Sequence, residues 1–259
     1  MKKTLLTICL VWMCFSLSAQ KIIDLSGKWS FSIDRQDNGE KEKWFSHTLN
    51  DFINLPGSMP EKLKGDEVTA KTQWTGSLYD SSYYYNPYME KYRKEGNIKF
   101  PFFLTPDKHY VGAAWYQKEV NIPADWKGER ILLFLERPHI ETTVWVNGQK
   151  TGMQNSLCVP HQYDITHYVR PGKCTITIRV DNRIKEINVG PDSHSITDQT
   201  QGNWNGIVGR ICLQTTPKTY FDDIQIYPEP EQKLARVKVV IKGTGTAKVK
   251  LSAESFNTD

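Results

Sequence analysis

Side chains able to do chemistry are plentiful in this chain, yet none stands in a spacing that the common catalytic chemistries require. A serine nucleophile of the esterase type needs a Gly-x-Ser-x-Gly turn. Phosphoryl transfer needs a glycine-rich phosphate loop, and zinc hydrolysis needs His-Glu-x-x-His on one helix face. None of the three occurs. The six histidines (His47, His109, His139, His161, His167, His194) show no ligand spacing with cysteines. His161 and His167 share a turn-rich segment but bring no further ligands, so no metal site is read there. Neither a metal nor a cofactor is expected. The 33 basic and 29 acidic residues leave a net charge of +4. The lysines are scattered, so no nucleic-acid footprint is read and the acids are taken as a solvated surface.

Strands must position whatever functional residues exist. Trp29, Phe31 and Ile33 alternate with Ser30 and Ser32 after the Ser26-Gly27 turn, a period of two. Ile131-Leu132-Leu133-Phe134-Leu135 is a continuous apolar run, as expected of a strand buried on both faces. Thr143-Val144-Trp145-Val146 runs into Asn147-Gly148, a strong hairpin signal. Trp145 faces away from its two valines and is read as structural. Ile176, Ile178 and Val180 share one face. Residues 211–215 and 221–227 complete the set, with Pro123, Pro171-Gly172 and Thr216-Pro217 as punctuation. No long segment has a helical period. Many short strands between turn signals predict a β-sandwich. Residues 57–110 are less regular and rich in aromatics (Trp74, Tyr79, Tyr83, Tyr84, Tyr85, Tyr88, Tyr92). They are read as a long excursion on the sandwich, either functional or a satellite hydrophobic cluster.

The first 20 residues read as a bacterial secretory signal peptide. Met1-Lys2-Lys3 is positive, residues 5–17 are apolar, and Ser18-Ala19-Gln20 offers small residues for cleavage. Met13 before Cys14 argues against a lipoprotein anchor. The expected location is periplasmic or secreted, with no membrane attachment after cleavage. Cys158, Cys174 and Cys212 then remain, without a C-x-x-C spacing. They are read as small, mostly buried thiols. Pro228-Glu229-Pro230 reads as a linker, and residues 235–243 and 246–256 as two further strands.

Four pieces, in order, carry a resemblance. They are Gly112-Ala113-Ala114-Trp115-Tyr116-Gln117-Lys118-Glu119-Val120, Val144-Trp145-Val146-Asn147-Gly148, Thr175-Ile176-Thr177-Ile178-Arg179-Val180-Asp181-Asn182 and Asn203-Trp204-Asn205-Gly206-Ile207-Val208-Gly209-Arg210. Together they resemble the N-terminal sugar-binding β-sandwich of glycoside hydrolase family 2, the family of β-galactosidases, β-glucuronidases and β-mannosidases. The resemblance is strongest over 111–228 and weak over 57–95. It implies an all-β chain: a jelly-roll-like (galactose-binding-domain-like) sandwich over 21–228, then the start of an immunoglobulin-like sandwich over 229–259. A complete immunoglobulin-like sandwich needs about seven strands, and only two are read there.

The resemblance also implies a division of labour. Retaining glycosidases use two carboxyls about 5 Å apart. In this family they lie on a TIM barrel, where the acid/base glutamate follows an asparagine. This chain contains no Asn-Glu dipeptide and no stretch for a barrel of about 250 residues. No residue is therefore given a catalytic role, and the catalytic barrel is an expected partner. In family β-galactosidases, loops of the sandwich reach the neighbouring active site. One carries an asparagine in the pattern Asn, apolar, any, aromatic, Pro, which Asn97-Ile98-Lys99-Phe100-Pro101 matches. Another carries an aspartate shortly before a Trp-x-x-Gly-Ile segment, where it binds substrate hydroxyls. The counterpart is Asp198, although it stands further from Trp204 than in the family pattern, and Trp204-Asn205-Gly206-Ile207 is one residue shorter. Either Asp198 reaches in from a longer loop, or Asn203 takes over. A carboxylate accepts two hydroxyl hydrogen bonds at once. Trp204 could stack on the C–H face of a sugar, but its area favours packing. Arg210 is expected to pair with a carboxylate at the domain seam. Asp198, Asn97, Asn203 and Trp204 are thus the candidate substrate-binding residues, for a β-glycoside.

Three functions remain open at this stage. The chain is the accessory sandwich of an exported family 2 glycoside hydrolase, a self-standing non-catalytic carbohydrate-binding module, or a structural or adhesive sandwich. The ordered motifs favour the first.

Overall fold

The computed structural model describes residues 21–76, 81–185, 193–244 and 248–254; the expected leader lies outside them. The strands near the start are β1 (Ile22–Asp24), β2 (Gly27–Asp34), β3 (Asp51–Leu55) and β4 (Gly57–Ser58). The excursion holds β5 (Asp66–Glu67), the short α1 (Ser82–Tyr85) and β6 (Lys108–His109). There follow β7 (Ala113–Ile122), β8 (Arg130–His139), β9 (Glu141–Val146), β10 (Gln149–Asn155), β11 (His161–Asp164), β12 (Gly172–Asp181) and β13 (Gly206–Thr216). Last come β14 (Tyr220–Glu229) and β15 (Leu234–Lys242).

Two antiparallel sheets make the sandwich. One has six strands in the order β10-β9-β12-β7-β2-β3. The other has β1-β13-β8-β11, with β4 added to β13. Side chains alternate across a strand, so the period-two faces read from the sequence meet between the sheets. Trp29, Phe31, Val144, Val146, Ile176, Ile178 and Val180 come from the six-stranded sheet, and Leu133, Leu135, Ile211 and Leu213 from the other. Burying each of these stabilises the fold by about 1.5–3 kcal/mol. Trp145 does face the other way. It packs with Trp115 and Leu49 on the outer face of the six-stranded sheet, under Trp44 and Phe45. Of the 131–135 run, Phe134 alone is only half-buried.

Local backbone chemistry explains the turns. Asn147 (φ 50°) and Gly148 (φ 77°) join β9 to β10 with two positive φ values, which this dipeptide tolerates best. Gly206 opens β13 at φ 148°. A Cβ there would lie 2.5 Å from the Gly57 carbonyl oxygen, so only glycine lets β4 pair at this point. Gly209 (φ 74°) lies in a register break of β13 against β8. There Arg210 reaches Glu136 of β8, Nε to Oε2 3.1 Å.

Two strand expectations need correction. Residues 221–227 do form a strand, but β14 pairs with β15 in a separate two-stranded sheet and not with the sandwich. Alternation defines a strand without saying which sheet it joins. Within 246–256, the described residues 248–254 form no strand. Cys174 and Cys212 are buried and Cys158 is exposed, all as free thiols.

Candidate functional site

The excursion is organised by aromatic packing. The Trp74 ring lies edge-on to Phe100 and Phe102, each 4.9 Å away between centroids, and 4.6 Å from the His109 ring. Tyr83 stacks on Phe100 at 4.7 Å. This cluster carries Thr75, next in sequence to Trp74, to the loop that precedes β13.

Asp198 is the knot between the two. It is only 2% exposed. Its Oδ2 accepts from the Thr75 amide, and its Oδ1 accepts from the Asn203 amide at 3.0 Å. The Asp198 amide in turn donates to the Thr75 carbonyl at 3.3 Å. The Asn203 side chain ties in the neighbouring strand ends, because its Nδ2 donates to Thr75 Oγ1 (2.9 Å) and to the Asn182 carbonyl (3.0 Å). His109 Nδ1 lies 4.0 Å from Asp198 Oδ1. Burial raises the Asp198 carboxyl above its ordinary range, and the Asn203 amide, His109 and the Thr75 amide only partly offset this. A carboxylate offers about four acceptor positions. The Asn203 and Thr75 amides, the residue's own amide and the imidazole already face this carboxylate, so the two acceptor positions expected for ligand hydroxyls are not left open.

Asp198, Asn203 and Trp204 line one open cleft of about 330 Å³, together with Ser58, Pro60, Glu61, residues 104–107, Gln201 and Gly202. Trp204 is half-buried. One of its faces stacks on His139, with centroids 4.5 Å apart. It therefore combines packing with a place in the cleft wall. Glu61 is the wrong kind of carboxyl for a proton donor: its hydrogen bond from Lys62 holds it below the ordinary range, whereas a general acid must be raised.

Asn97 is not brought to this cleft. It is exposed, its Nδ2 donates to the Lys91 carbonyl at 2.7 Å, and its amide closes a turn onto Lys94. These are the ordinary uses of an asparagine in a turn.

The sequence motifs meet directly behind the cleft. Asn182 Oδ1 accepts from the Gly112 amide at 2.8 Å, and its Nδ2 donates to the Tyr110 carbonyl at 2.9 Å. Asn205 Nδ2 donates to the carbonyls of Gly112 and Val180, each at 2.9 Å. Asn205 Oδ1 accepts from the Tyr116 hydroxyl at 2.7 Å. The Gly112 segment, the end of β12 and the start of β13 are thus sewn together by two buried amides. Sequence reasoning singled out neither His109 nor Thr75 for the site.

The two facing antiparallel sheets, with this cleft beside the start of β13, define an all-β sandwich. The sequence profile described as glycosyl hydrolases family 2, sugar binding domain, matches residues 22–217. The chain belongs to this family. The human β-glucuronidase is 24% identical over 258 residues, which cover 88% of this chain and 34% of that protein. The β-glucuronidase of Paenibacillus borealis is 24% identical over 222 residues, 80% of this chain and 31% of that protein. The chain thus spans about a third of the length of these relatives. The fold is also that of solved structures. A β-glucuronidase of an uncultured Clostridium sp. matches with a TM-score of 0.59 at 20% identity, over 86% of this chain and 34% of that one. The Ruminococcus gnavus β-glucuronidase in complex with D-glucuronic acid matches at 0.59 and 17%, over 88% and 35%.

Proposed function

We propose that this chain is the sugar-binding sandwich of an exported family 2 glycoside hydrolase acting on β-glucuronides or closely related β-glycosides, with retention of configuration. The observation that carries the reading is the cleft. Its lining includes a carboxylate, an amide side chain and an indole, the kinds of group that take a sugar's hydroxyls and its C–H face, and this supports the reading. Family membership and the names of the relatives point the same way. In this reading the cleft is one side of a composite site, and the catalytic carboxyl pair is supplied by a barrel. Residues 1–20 serve as the leader. β14 and β15 are the first strands of a second, immunoglobulin-like unit, so the division falls between Thr216 and Tyr220 rather than at 228.

Saturation-transfer NMR on the purified chain with methyl β-glucuronide, methyl β-galactoside and methyl β-mannoside tests it. Contact with a glycoside is expected, strongest for the glucuronide and lost in Asp198→Ala. Hydrolysis of nitrophenyl β-glucuronide by the chain alone is expected to be nil. Sugar contact that survives both Asp198→Ala and Asn203→Ala would sink the reading. Contact at full strength with turnover by the chain alone would sink the composite site.

A further inference from the structure

Trp44 and Phe45 cover the Trp115–Trp145 pair on the outer face of the six-stranded sheet. Beside this cover a cleft of about 330 Å³ opens between His47, the Asn147-Gly148 turn and Thr175 of β12. That volume falls in the range of small-ligand sites, roughly 300–1,000 Å³. Three of its groups suit a ligand. Phe45 lies flat on the Trp145 indole, centroids 5.2 Å apart and planes 6° from parallel. The indole fixes this ring, which is half-buried and lines the cleft. Gln117 of β7 is 9% exposed. Its Nε2 donates to the His47 carbonyl at 3.0 Å and to Thr177 Oγ1 at 3.1 Å. A carbonyl only accepts, which fixes the amide this way round. Its Oε1 has no hydrogen bond among the described residues and is not one of the fully buried unpartnered atoms, so it opens on the cleft. The third group is the Thr175 hydroxyl, also without a hydrogen bond among the described residues. The Thr175 backbone is held by Asn147, through Oδ1 at 3.0 Å and the amide at 2.8 Å. The lining contains no Lys, Arg, Asp or Glu. Glu119, directly across from Thr175, is paired with Lys173 at 2.9 Å.

We propose that this cleft is a second sugar site, for an uncharged pyranoside: Phe45 takes the C–H face, and Gln117 Oε1 and the Thr175 hydroxyl take the ring hydroxyls. A fixed aromatic ring beside an amide oxygen and a hydroxyl matches a sugar, which is apolar across its C–H face and polar at its rim. The missing charge selects against a uronic acid. Its carboxylate would leave water with no cation to answer it and would meet an amide oxygen. The site is separate from the Asp198 cleft. Along β12, Thr175 lies about 20 Å from Asn182 at the rise of a strand, and Asn182 borders the Asp198 network through Asn203. The inference is therefore independent of the reading of Asp198. A glycan held here by a neutral unit would have its other units raised in effective concentration at the protein.

The test is amide NMR on the purified chain, titrated with methyl β-galactoside, methyl β-glucoside, methyl β-mannoside and methyl β-glucuronide. At least one neutral glycoside is expected to shift the amides of Ser46, His47, Gly148 and Thr175, with a Kd on the order of millimolar. The glucuronide should bind there at least about tenfold more weakly. Thr175→Val keeps the strand and the side-chain size but deletes the hydroxyl, and should weaken contact about five- to tenfold. Phe45→Leu keeps an apolar cover on Trp145 without the ring, and should weaken it about tenfold. In folded Asp198→Ala the shifts around Thr175 should persist, whatever becomes of the other cleft, so the two readings fail separately. No shift of these amides with any neutral glycoside overturns the site. So do shifts that stay at full strength in folded Thr175→Val and Phe45→Leu, and shifts that vanish in folded Asp198→Ala. Equal affinity for the glucuronide overturns the selection for an uncharged sugar.

Discussion

The imidazole of His139 lies almost flat on the indole of Trp204, centroids 4.5 Å apart and planes 19° from parallel. The stack seats the cleft's aromatic wall on the end of β8. His139 is 5% exposed. Its Nε2 and the Oδ1 of Asn203 are both buried without a hydrogen bond of good geometry, although the Asn203 side chain lies close enough to favour the protonated ring. Burial dominates and lowers the imidazole to about 4. Unfolded, the ring titrates near 6.5, so between pH 6.5 and 4 the unfolded chain binds the extra proton and the native one does not. Stability should therefore fall as the pH drops through that window, by about 3 kcal/mol in all from this residue. Thermal melts at pH 4.5 to 7 check it. His139→Gln should flatten the slope, and an equally steep slope in that variant would show that the ring does not stay neutral in the fold.

Asn205 is a second point where one side chain holds several segments. It satisfies the Gly112 and Val180 carbonyls and the Tyr116 hydroxyl, all buried. Asn205→Ala leaves these groups without a partner in the interior, and a loss of about 3 kcal/mol is expected in urea unfolding. Asn97 is exposed with one side-chain bond to a carbonyl, so Asn97→Ala should change stability by about 0.5 kcal/mol or less. Equal losses in the two variants would contradict the assignment of Asn205 as the seam.

What could be read in advance follows from the range of the signal. The shared face of Ile176, Ile178 and Val180 and the Asn147-Gly148 turn are set by neighbours in the chain, so period and turn chemistry are enough. Asp198, Asn203 and Trp204 emerged through an ordered resemblance, and the structure gathers all three at one cleft. Thr75 and Asp198 meet across 123 positions, and His109 approaches from a third segment. No local pattern announces a contact of that kind. The fate of residues 221–227 was hidden for a related reason: Ile224 and Ile226 alternate as in any half-buried strand, but both are exposed.

That exposure has a dynamic consequence. β14 and β15 form a sheet of two strands with Phe221, Ile224, Ile226 and Leu234 open to solvent. Two strands without a covered face are marginal in water. In hydrogen-exchange mass spectrometry, peptides from 220–242 should exchange orders of magnitude sooner than β12, which is flanked by β7 and β9. Protection equal to that of β12 would mean that something covers this face in solution.

Asp181 anchors a dense cluster of charges on the sandwich. The side chain is fully buried and accepts from Arg183 Nη2 at 2.6 Å, from Lys185 at 2.9 Å and from Arg179 at 3.1 Å. Asp37 answers Arg179 and Arg183, each at 2.6 Å, and Glu141 answers Lys185 at 2.8 Å. Burial by itself pushes the Asp181 carboxyl up, but the Arg183 and Lys185 hydrogen bonds more than reverse this and hold it well below the ordinary carboxylate range. With the native value depressed, its contribution is complete above the unfolded value of 3.8 and drains away as the pH falls below that. Asp181→Asn keeps the shape, removes the anion and leaves the buried Arg179 with Asp37 and Glu141 as its remaining counter-charges, and should cost about 3 kcal/mol at pH 7. The gap between the two proteins should close as the pH is lowered past about 4, because the unfolded wild-type chain then binds a proton that the native carboxylate still refuses. Acid titration of both, followed by tryptophan fluorescence, measures this directly. A gap that stays constant down to pH 2 would mean that Asp181 acts through its shape and hydrogen bonds, and that its charge contributes nothing.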